Sequence, residues 1–160
     1  MRVLQCRKRI RPALCLLALA CLQPLGARVV EVRAGGRISL TQAFSALEAG
    51  DVLEVSEGLY EGRSNCGLEI AASGVVVRAA PGGAAPVIEC HGTGLRALAI
   101  LGSNVTVSGL ILRRGSPRAP APGEKPCGGG ATRCLHGGCL LILGKEVRVS
   151  DVRMEECEAS

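Results

Sequence analysis

The sequence predicts an all-β solenoid, a parallel β-helix, because one short pattern occurs three times along the chain. The pattern is Leu-x-Ile, then four residues, then Val-x-Val, and its copies begin at Leu68, Leu98 and Leu140. A unit this small cannot bury its apolar side chains alone, so repeated units stack and share one core. A further apolar segment follows each Val-x-Val, which predicts three strands per coil. These segments are Val87-Ile88-Glu89-Cys90, Leu110-Ile111-Leu112 and Val152-Arg153-Met154.

Alternating apolar and polar residues within each copy predict strands whose side chains point inward and outward in turn. When the copies stack, equivalent residues form columns with a spacing of about 4.8 Å. The predicted columns are Leu68, Leu98 and Leu140; Ile70, Ile100 and Ile142; and Val75, Val105 and Val147. Gly74, Asn104 and Glu146 share one turn position. Glycine and asparagine accept a left-handed backbone there more readily than glutamate does.

The spacing of the copies indicates an inserted loop, because the step from Leu98 to Leu140 is longer than the step from Leu68 to Leu98. The additional residues of the longer step lie in a Pro- and Gly-rich segment, residues 115–138, which is predicted to be loop. Without this insertion the two steps match. A β-sandwich is the alternative fold, but its hairpins favour Asn-Gly or Asp-Gly turns. Neither dipeptide occurs in this chain.

Residues 1–27 are predicted to be a signal peptide. Five basic residues flank a ten-residue apolar run, Ala13 to Leu22, which is too short to span a bilayer. Cleavage is expected after Ala27 or, by the A-x-A rule, after Ala20. The five basic residues account for the net charge of +5, since 14 of the 19 basic residues and all 14 acidic residues follow them. We therefore expect a secreted or cell-surface protein, with no nucleic-acid partner and no transmembrane helix.

Residues 28–50 are predicted to form a short strand, Val29 to Arg33, followed by an amphipathic capping helix. Ser39 and Gln42 have the spacing of a capping box at the start of that helix. Gly50 lies where a C-terminal glycine is expected to end it. The apolar face of the helix is expected to cover the open end of the first coil. This face consists of Leu40, Ala43, Phe44 and Leu47.

Residues 51–160 are predicted to be the solenoid itself, with about three to four coils. No capping element follows the last predicted strand, so the last coil is expected to present open backbone edges and apolar side chains. Either the natural chain continues with further coils, or another copy covers this end. End-to-end self-association is therefore one expected interaction.

The run from Ser39 to Gly62 resembles the beginning of a right-handed parallel β-helix of the pectin-lyase-like superfamily. In that family a helix precedes Gly-Asp, a strand and a Gly-x-Tyr-x-Gly turn, which here reads Gly58-Leu59-Tyr60-Glu61-Gly62. The segment from Asn104 to Leu110 is similar to the family's repeat core. Gly137-Gly138-Cys139-Leu140, followed by Met154-Glu155-Glu156-Cys157, is similar to the polymorphic outer-membrane protein repeat. The resemblance covers about Arg37 to Ser160 and implies the right-handed coil.

Superfamily enzymes that act on polyuronides need clustered acids, as calcium ligands or as acid and base. This chain has two aspartates, Asp51 and Asp151, which the repeat places about three coils apart. Glu54, Glu69 and Glu89 could approach one another on one outer face, although solvated surface positions are their ordinary role. With one Phe, one Tyr and no Trp, the chain also offers few aromatic faces for a sugar.

The sequence therefore favours a module with a binding, adhesive or structural role, and it predicts no catalytic residue, cofactor or metal. The expected partners are an extracellular polysaccharide or a protein of the cell wall or surface. The alternative is a polysaccharide-active enzyme, resembling a pectate lyase, polygalacturonase or pectin esterase, or the N-terminal part of one. That alternative depends on the fold resemblance alone.

Six cysteines follow the signal peptide, and a secreted chain is expected to pair them as disulfides. They are Cys66, Cys90, Cys127, Cys134, Cys139 and Cys157. Pairing of Cys90 with Cys157 is disfavoured, because stacking puts them about 9.6 Å apart and a disulfide needs Cα atoms within about 7 Å.

A bridge among Cys127, Cys134 and Cys139 would close the inserted loop. The alternative is a zinc site formed by these three cysteines and His136. Asn104-Val105-Thr106 is a glycosylation sequon, and Asn104 is expected to be exposed at its turn.

Overall fold

The computed structural model describes residues 27–116 and 138–157, which consist mainly of short β-strands. The described part also contains one α-helix, α1 (Leu40–Ser45), and one 3₁₀ turn (Arg63–Asn65). Residues 1–26, 117–137 and 158–160 lie outside the described part. They include the predicted signal peptide, apart from Ala27, and most of the predicted loop. The strands are β1 (Val29–Val32), β2 (Val52–Val55), β3 (Leu59–Glu61), β4 (Leu68–Ile70), β5 (Val76–Ala79), β6 (Val87–Glu89), β7 (Leu98–Ile100), β8 (Thr106–Ser108), β9 (Ile111–Arg113), β10 (Leu140–Ile142), β11 (Arg148–Ser150) and β12 (Arg153–Glu155).

The strands form three parallel sheets, and consecutive strands from β2 onward belong to different sheets. Sheet A has the order β1-β2-β5-β8-β11, sheet B has β3-β6-β9-β12 and sheet C has β4-β7-β10. The chain visits sheets A, B and C in that order, and every next strand of a sheet lies parallel to the preceding one. Stacked parallel strands of this kind confirm a β-helix-like solenoid.

The observed register confirms the predicted columns. Leu98 pairs with Leu68 on one side and Leu140 on the other, and Ile100 pairs in the same way with Ile70 and Ile142. In sheet A, Val107 pairs with both Val77 and Val149, and this register also aligns Val75, Val105 and Val147, which lie two residues earlier in each copy. The inward residues of the central strands are almost fully buried. The core is therefore a set of aliphatic columns along the stack, shared by all three sheets.

Helix α1 lies at one end of the stack, as predicted. The Ser39 hydroxyl accepts a hydrogen bond from the Gln42 amide, and the Gln42 side chain accepts one from the Ser39 amide, which forms the capping box. The buried face of α1 packs against β1 and β4, and β4 is the edge strand of sheet C. A short helix thus covers an edge that would otherwise face solvent.

The prediction that Gly50 ends the helix is wrong. The helix ends at Ser45, and its C-cap is Ala46, whose φ of −96° is not left-handed. Gly50, with φ of 90°, belongs to a later turn in which Asp51 donates its amide to the Glu48 carbonyl. The Asp51 carboxylate accepts the Glu48 amide in return. The two hydrogen bonds between Glu48 and Asp51 hold this turn, and its positive φ at Gly50 favours glycine. The turn fixes the direction in which the chain enters β2.

The turn between sheet C and sheet A is the same in successive repeats. Gly74, Asn104 and Glu146 all have left-handed backbones, with φ of 72°, 54° and 55°. The prediction for this position is confirmed, including the less favoured glutamate. The amide of Asn104 donates to the carbonyl of Lys145, so the turns are hydrogen-bonded to each other along the stack.

Gly102 and Gly144 allow these turns to stack closely. The amides of Leu101 and Gly102 both donate to the Ile70 carbonyl. A Cβ atom at Gly102 would overlap the carbonyl group of Ala72, and one at Gly144 would overlap the carbonyl of Gly102. The obstacle is backbone, which cannot move aside without breaking the ladder.

The sequence step between stacked strands is not the same in every sheet. In sheet C, the paired residues Leu68 on β4 and Leu98 on β7 define the number of residues from one level to the next. In sheet B, the paired residues Val87 on β6 and Ile111 on β9 are separated by fewer residues. The connections between the strands absorb this difference, while the register of the strands is preserved. In the described ranges, no helix is long and apolar enough to cross a membrane.

We predict that Gly102→Ala destabilises the fold by about 1–3 kcal/mol, because the new methyl group must displace the backbone of the neighbouring turn. The matched control is Gly83→Ala, where the nearest neighbour of the new Cβ is the Glu57 side chain at 3.2 Å, and not a backbone atom. This exposed change is expected to stay within about 0.5 kcal/mol. Urea denaturation of both variants gives the comparison. Equal stabilities would contradict the close stacking of the turns.

Candidate functional site

The three candidate glutamates do not share a face. Glu54 lies on β2 in sheet A, Glu69 on β4 in sheet C and Glu89 on β6 in sheet B. The expectation that they could approach one another is wrong, because consecutive strands go to different sheets. Glu54 instead pairs with Arg78 of the neighbouring strand, with 2.6 Å between Oε1 and Nη2.

The two aspartates are also far apart along the stack. Asp51 precedes β2, and Asp151 follows β11, three strand steps away in sheet A. Asp51 is buried and accepts a hydrogen bond from Arg28 at 2.6 Å. The hydrogen bond from Arg28 is the main reason that the pKa of the Asp51 carboxyl lies below its usual value. Asp51 therefore has the structural role expected of a turn residue, and Asp151 is exposed in a left-handed turn.

Sheet B carries a group of charged residues that the sequence reasoning did not identify. We call Glu89, Arg113, Arg114, Glu155 and Glu156 the charge cluster. Glu89 pairs in register with Arg113, and Arg113 pairs with Glu155, so three neighbouring strands bring them together. One signal was available in the sequence: Arg113-Arg114 precedes Glu155-Glu156 by the same step that separates the last two copies of the repeat.

The charges of the cluster are closely paired. The Arg113 Nε and Nη2 atoms donate to Glu155 Oε2 at 2.9 and 2.6 Å. The Arg114 Nε atom donates to Glu156 Oε2 at 2.7 Å. The Glu89 carboxylate lies 4.0 Å from each of the two guanidinium groups. The Arg114 hydrogen bond lowers the pKa of Glu156, and the same contact raises the pKa of Arg114.

An open cleft of about 630 Å³ lies beside the charge cluster. It is lined by His91, Gly92, Arg114, Ser116 and Glu156, which follow the ends of β6, β9 and β12. The His91 amide donates to Glu89 Oε1 at 3.1 Å, and the Ser116 amide donates to the Leu95 carbonyl at 3.0 Å. The walls of the cleft are thus held by sheet B and its following loops. They offer a guanidinium, an imidazole and a carboxylate to a polar ligand.

Two disulfides lie at the corner between sheets B and C. Cys66 pairs with Cys90, and Cys139 pairs with Cys157, with Cα atoms 5.8 and 5.5 Å apart. In each bridge, one cysteine lies just before a strand of sheet C and the other lies just after a strand of sheet B. The sheet B strand belongs to the next level of the stack. The prediction of disulfides is confirmed for these four cysteines, and the disfavoured pairing of Cys90 with Cys157 is not formed.

Of the expected bridges among Cys127, Cys134 and Cys139, those that include Cys139 are not formed, and a bridge between Cys127 and Cys134 lies outside the described residues. Cys139 bonds Cys157 because the register of β10 and β12 brings the start of one strand beside the end of the other. The same bond removes Cys139 from the alternative zinc site. Cys127, Cys134 and His136 lie outside the described residues. Within residues 27–116 and 138–157, no cluster of three or more His, Cys, Asp or Glu side chains could hold a metal.

We predict that replacing Cys66 and Cys90 together by alanine destabilises the protein by about 3 kcal/mol, since the disulfide closes a loop of 24 residues. The Cys139→Ala/Cys157→Ala pair is expected to have a similar effect, because its loop spans 18 residues. Peptide mapping without reductant should recover both bridges, and denaturation of the variants measures the loss. A bridge from Cys139 to Cys127 or Cys134 would contradict the structure.

Comparison of the chain with family models, with curated proteins and with solved structures finds no match in any of the three. The resemblance to the pectin-lyase-like superfamily therefore depends on the motifs between Ser39 and Ser160 and stays a prediction.

Proposed function

We propose that the chain is a secreted or cell-surface module, a right-handed parallel β-helix with three strands per coil, that binds an extracellular polysaccharide without cleaving it. The order of sheets A, B and C along the chain supports the three strands. The two disulfides support an oxidising compartment. The main observation behind the binding role is the cleft beside the charge cluster, where polar side chains are already ordered by ion pairs.

The chemistry of the cleft suits a polyhydroxylated ligand. Its volume of about 630 Å³ falls within the range of small-molecule sites, roughly 300–1,000 Å³. Arg114 and the His91 ring offer donors, and Glu156 offers acceptors. A sugar hydroxyl both donates and accepts, so one ring can satisfy groups of both kinds. Among the described residues, no Phe, Tyr or Trp lines this cleft, and we therefore expect binding mainly through hydrogen bonds.

The state of the carboxylates favours binding over hydrolysis. A glycosidase needs one carboxyl group with a raised pKa that can act as general acid. In the cleft, the hydrogen bond from Arg114 lowers the pKa of Glu156, which is opposite to the shift that a general acid needs. Glu89 lies beside the guanidinium groups of Arg113 and Arg114. The alternative, a polysaccharide lyase, hydrolase or esterase, gains support only if the protein degrades pectate and Glu89→Gln abolishes that activity.

We predict that Arg114→Asn weakens polysaccharide binding about tenfold or more, since a hydrogen bond from a charged donor contributes about 1.5–3 kcal/mol. Asparagine tolerates the left-handed backbone of Arg114, whose φ is 51°, so the fold is retained. Calorimetric titration with polygalacturonate and with neutral xylan measures the affinity.

The matched control is Arg78→Gln, which removes another arginine–glutamate pair on a different sheet. Exposed pairs of this kind contribute only about 0–1 kcal/mol to stability, so neither variant should unfold. An equal loss in both variants, or no binding of either polymer by the unmodified chain, would contradict the assignment of the cleft.

A second interaction is supported by the far end of the stack. We infer that a second copy of the chain contacts the face formed by β10, β11 and β12. Within the described residues, each of these strands has a partner on one side only. Their inward residues Ile142, Val149 and Met154 are 38%, 38% and 58% exposed, although their column neighbours are buried. An apolar face with open strand edges favours strand pairing with another chain.

The geometry favours contact between two identical ends. The opposite end of sheet C is covered by α1, so head-to-tail stacking is obstructed there. If β12 pairs antiparallel with its own copy around Met154, then Arg153 of each copy faces Glu155 of the other. A two-fold contact of this kind closes at the dimer.

We predict a dimer whose formation is prevented by Met154→Glu, because that change puts two carboxylates at the two-fold axis. The control is Leu59→Glu, a residue 51% exposed on β3, the edge strand of sheet B at the opposite end, and it should leave the dimer intact. Light scattering after size exclusion measures the mass across a concentration series. A monomer at all concentrations, or dissociation by both variants alike, would rule out the proposed face.

A further inference from the structure

The chain contains two asparagines, and the structure gives them opposite environments. Asn65 is held by two side-chain hydrogen bonds: its Oδ1 atom accepts the Leu40 amide at 3.0 Å, and its Nδ2 atom donates to the Glu61 carbonyl at 2.9 Å. Asn104 is exposed, and within the described residues its side chain forms no hydrogen bond. Asn65 thus has a structural role, whereas the Asn104 amide is available for chemistry.

The backbone around Asn104 directs the two recognised side chains of the sequon, Asn104 and Thr106, away from the core. Asn104 occupies the left-handed turn residue before β8, with φ of 54°. Val105 points into the core and is fully buried, so its neighbours Asn104 and Thr106 point away from the core. Asn-x-Thr is the acceptor sequence for N-linked glycans, with x other than proline. The inward Val105 therefore places the two recognised side chains on the outer surface.

The column of turns leaves room for a large substituent. The same position is occupied in the preceding repeat by Gly74, which has no side chain, and in the following one by Glu146, which is exposed. At the start of the same turns, Leu101 and Leu143 are 39% and 61% exposed. These exposed leucines lie near the solvent-exposed Asn104, and a bulky, hydrophilic glycan on Asn104 would shield them from solvent.

We propose that Asn104 is an N-glycosylation site of the secreted protein. In the transfer step, Asn104 Nδ2 forms a bond to the anomeric carbon of a lipid-linked oligosaccharide. The bond from that carbon to the lipid diphosphate breaks, the diphosphate leaves with the bonding electrons, and the amide loses one proton. The proposal requires entry into the secretory pathway of a eukaryotic cell. It is independent of the ligand of the cleft beside the charge cluster.

The test is expression of the full chain in a eukaryotic secretory cell, followed by mass spectrometry of the Asn104 peptide before and after peptide N-glycosidase. We expect a glycan on Asn104 that the enzyme removes, leaving aspartate. Thr106→Ser keeps the sequon and should keep the glycan. Thr106→Val and Asn104→Gly should both lose it.

Asn104→Gly is the decisive variant for folding, because glycine already occupies the same left-handed position at residue 74. This variant should remain folded, with the Cys66–Cys90 and Cys139–Cys157 bridges intact, so that loss of the glycan cannot be attributed to misfolding. Recovery of folded, disulfide-bonded protein with an unmodified Asn104 overturns the proposal, and so does a glycan that persists in Asn104→Gly.

Discussion

The register between neighbouring parallel strands is the constraint on which the rest of this structure depends. Leu68, Leu98 and Leu140 pair directly across sheet C, so their side chains occupy successive levels of one core. In a stack of parallel strands, the direction of a side chain is repeated at every level. A slip of one residue would turn these leucines outward and bring outward residues such as Glu69 inward, at the large cost of burying a charge.

The same register dictates the backbone between the strands. The turn after β7 must follow the turn after β4 so closely that Gly102 lies against the carbonyl of Ala72. Glu146 adopts a left-handed backbone that costs a non-glycine residue about 1–2 kcal/mol. The ladder bonds that flank it, including the one from the Arg148 amide to the Val105 carbonyl, offset this cost. Tertiary register therefore overrides local preference at this turn.

Features set by nearby residues could be predicted from the sequence, and features set by the path around the stack could not. The capping box at Ser39 and the columns of the three repeats depend on local spacing, and both are confirmed. The pairing of Cys66 with Cys90 depends on which strand ends meet at the corner of sheets B and C. Far fewer residues separate the paired positions of β6 and β9 than those of β9 and β12. The sequence distance between cysteines could therefore exclude the pairing of Cys90 with Cys157, but it could not identify the pairs that form.

The charge cluster adds little to the stability of the fold, and the proposed binding role gives its ion pairs a function. Exposed ion pairs contribute about 0–1 kcal/mol each, whereas the inward columns bury many aliphatic side chains at about 25 cal/mol per Å². The pairs from Arg113 to Glu155 and from Arg114 to Glu156 therefore add little to what the core already supplies. They do fix the positions of donors and acceptors at the mouth of the cleft, and ordering such groups in advance lowers the entropy lost on binding. In a solenoid, the inward residues supply most of the stability, and the outward residues can change with little effect on it. Such a fold can acquire a binding surface without loss of stability.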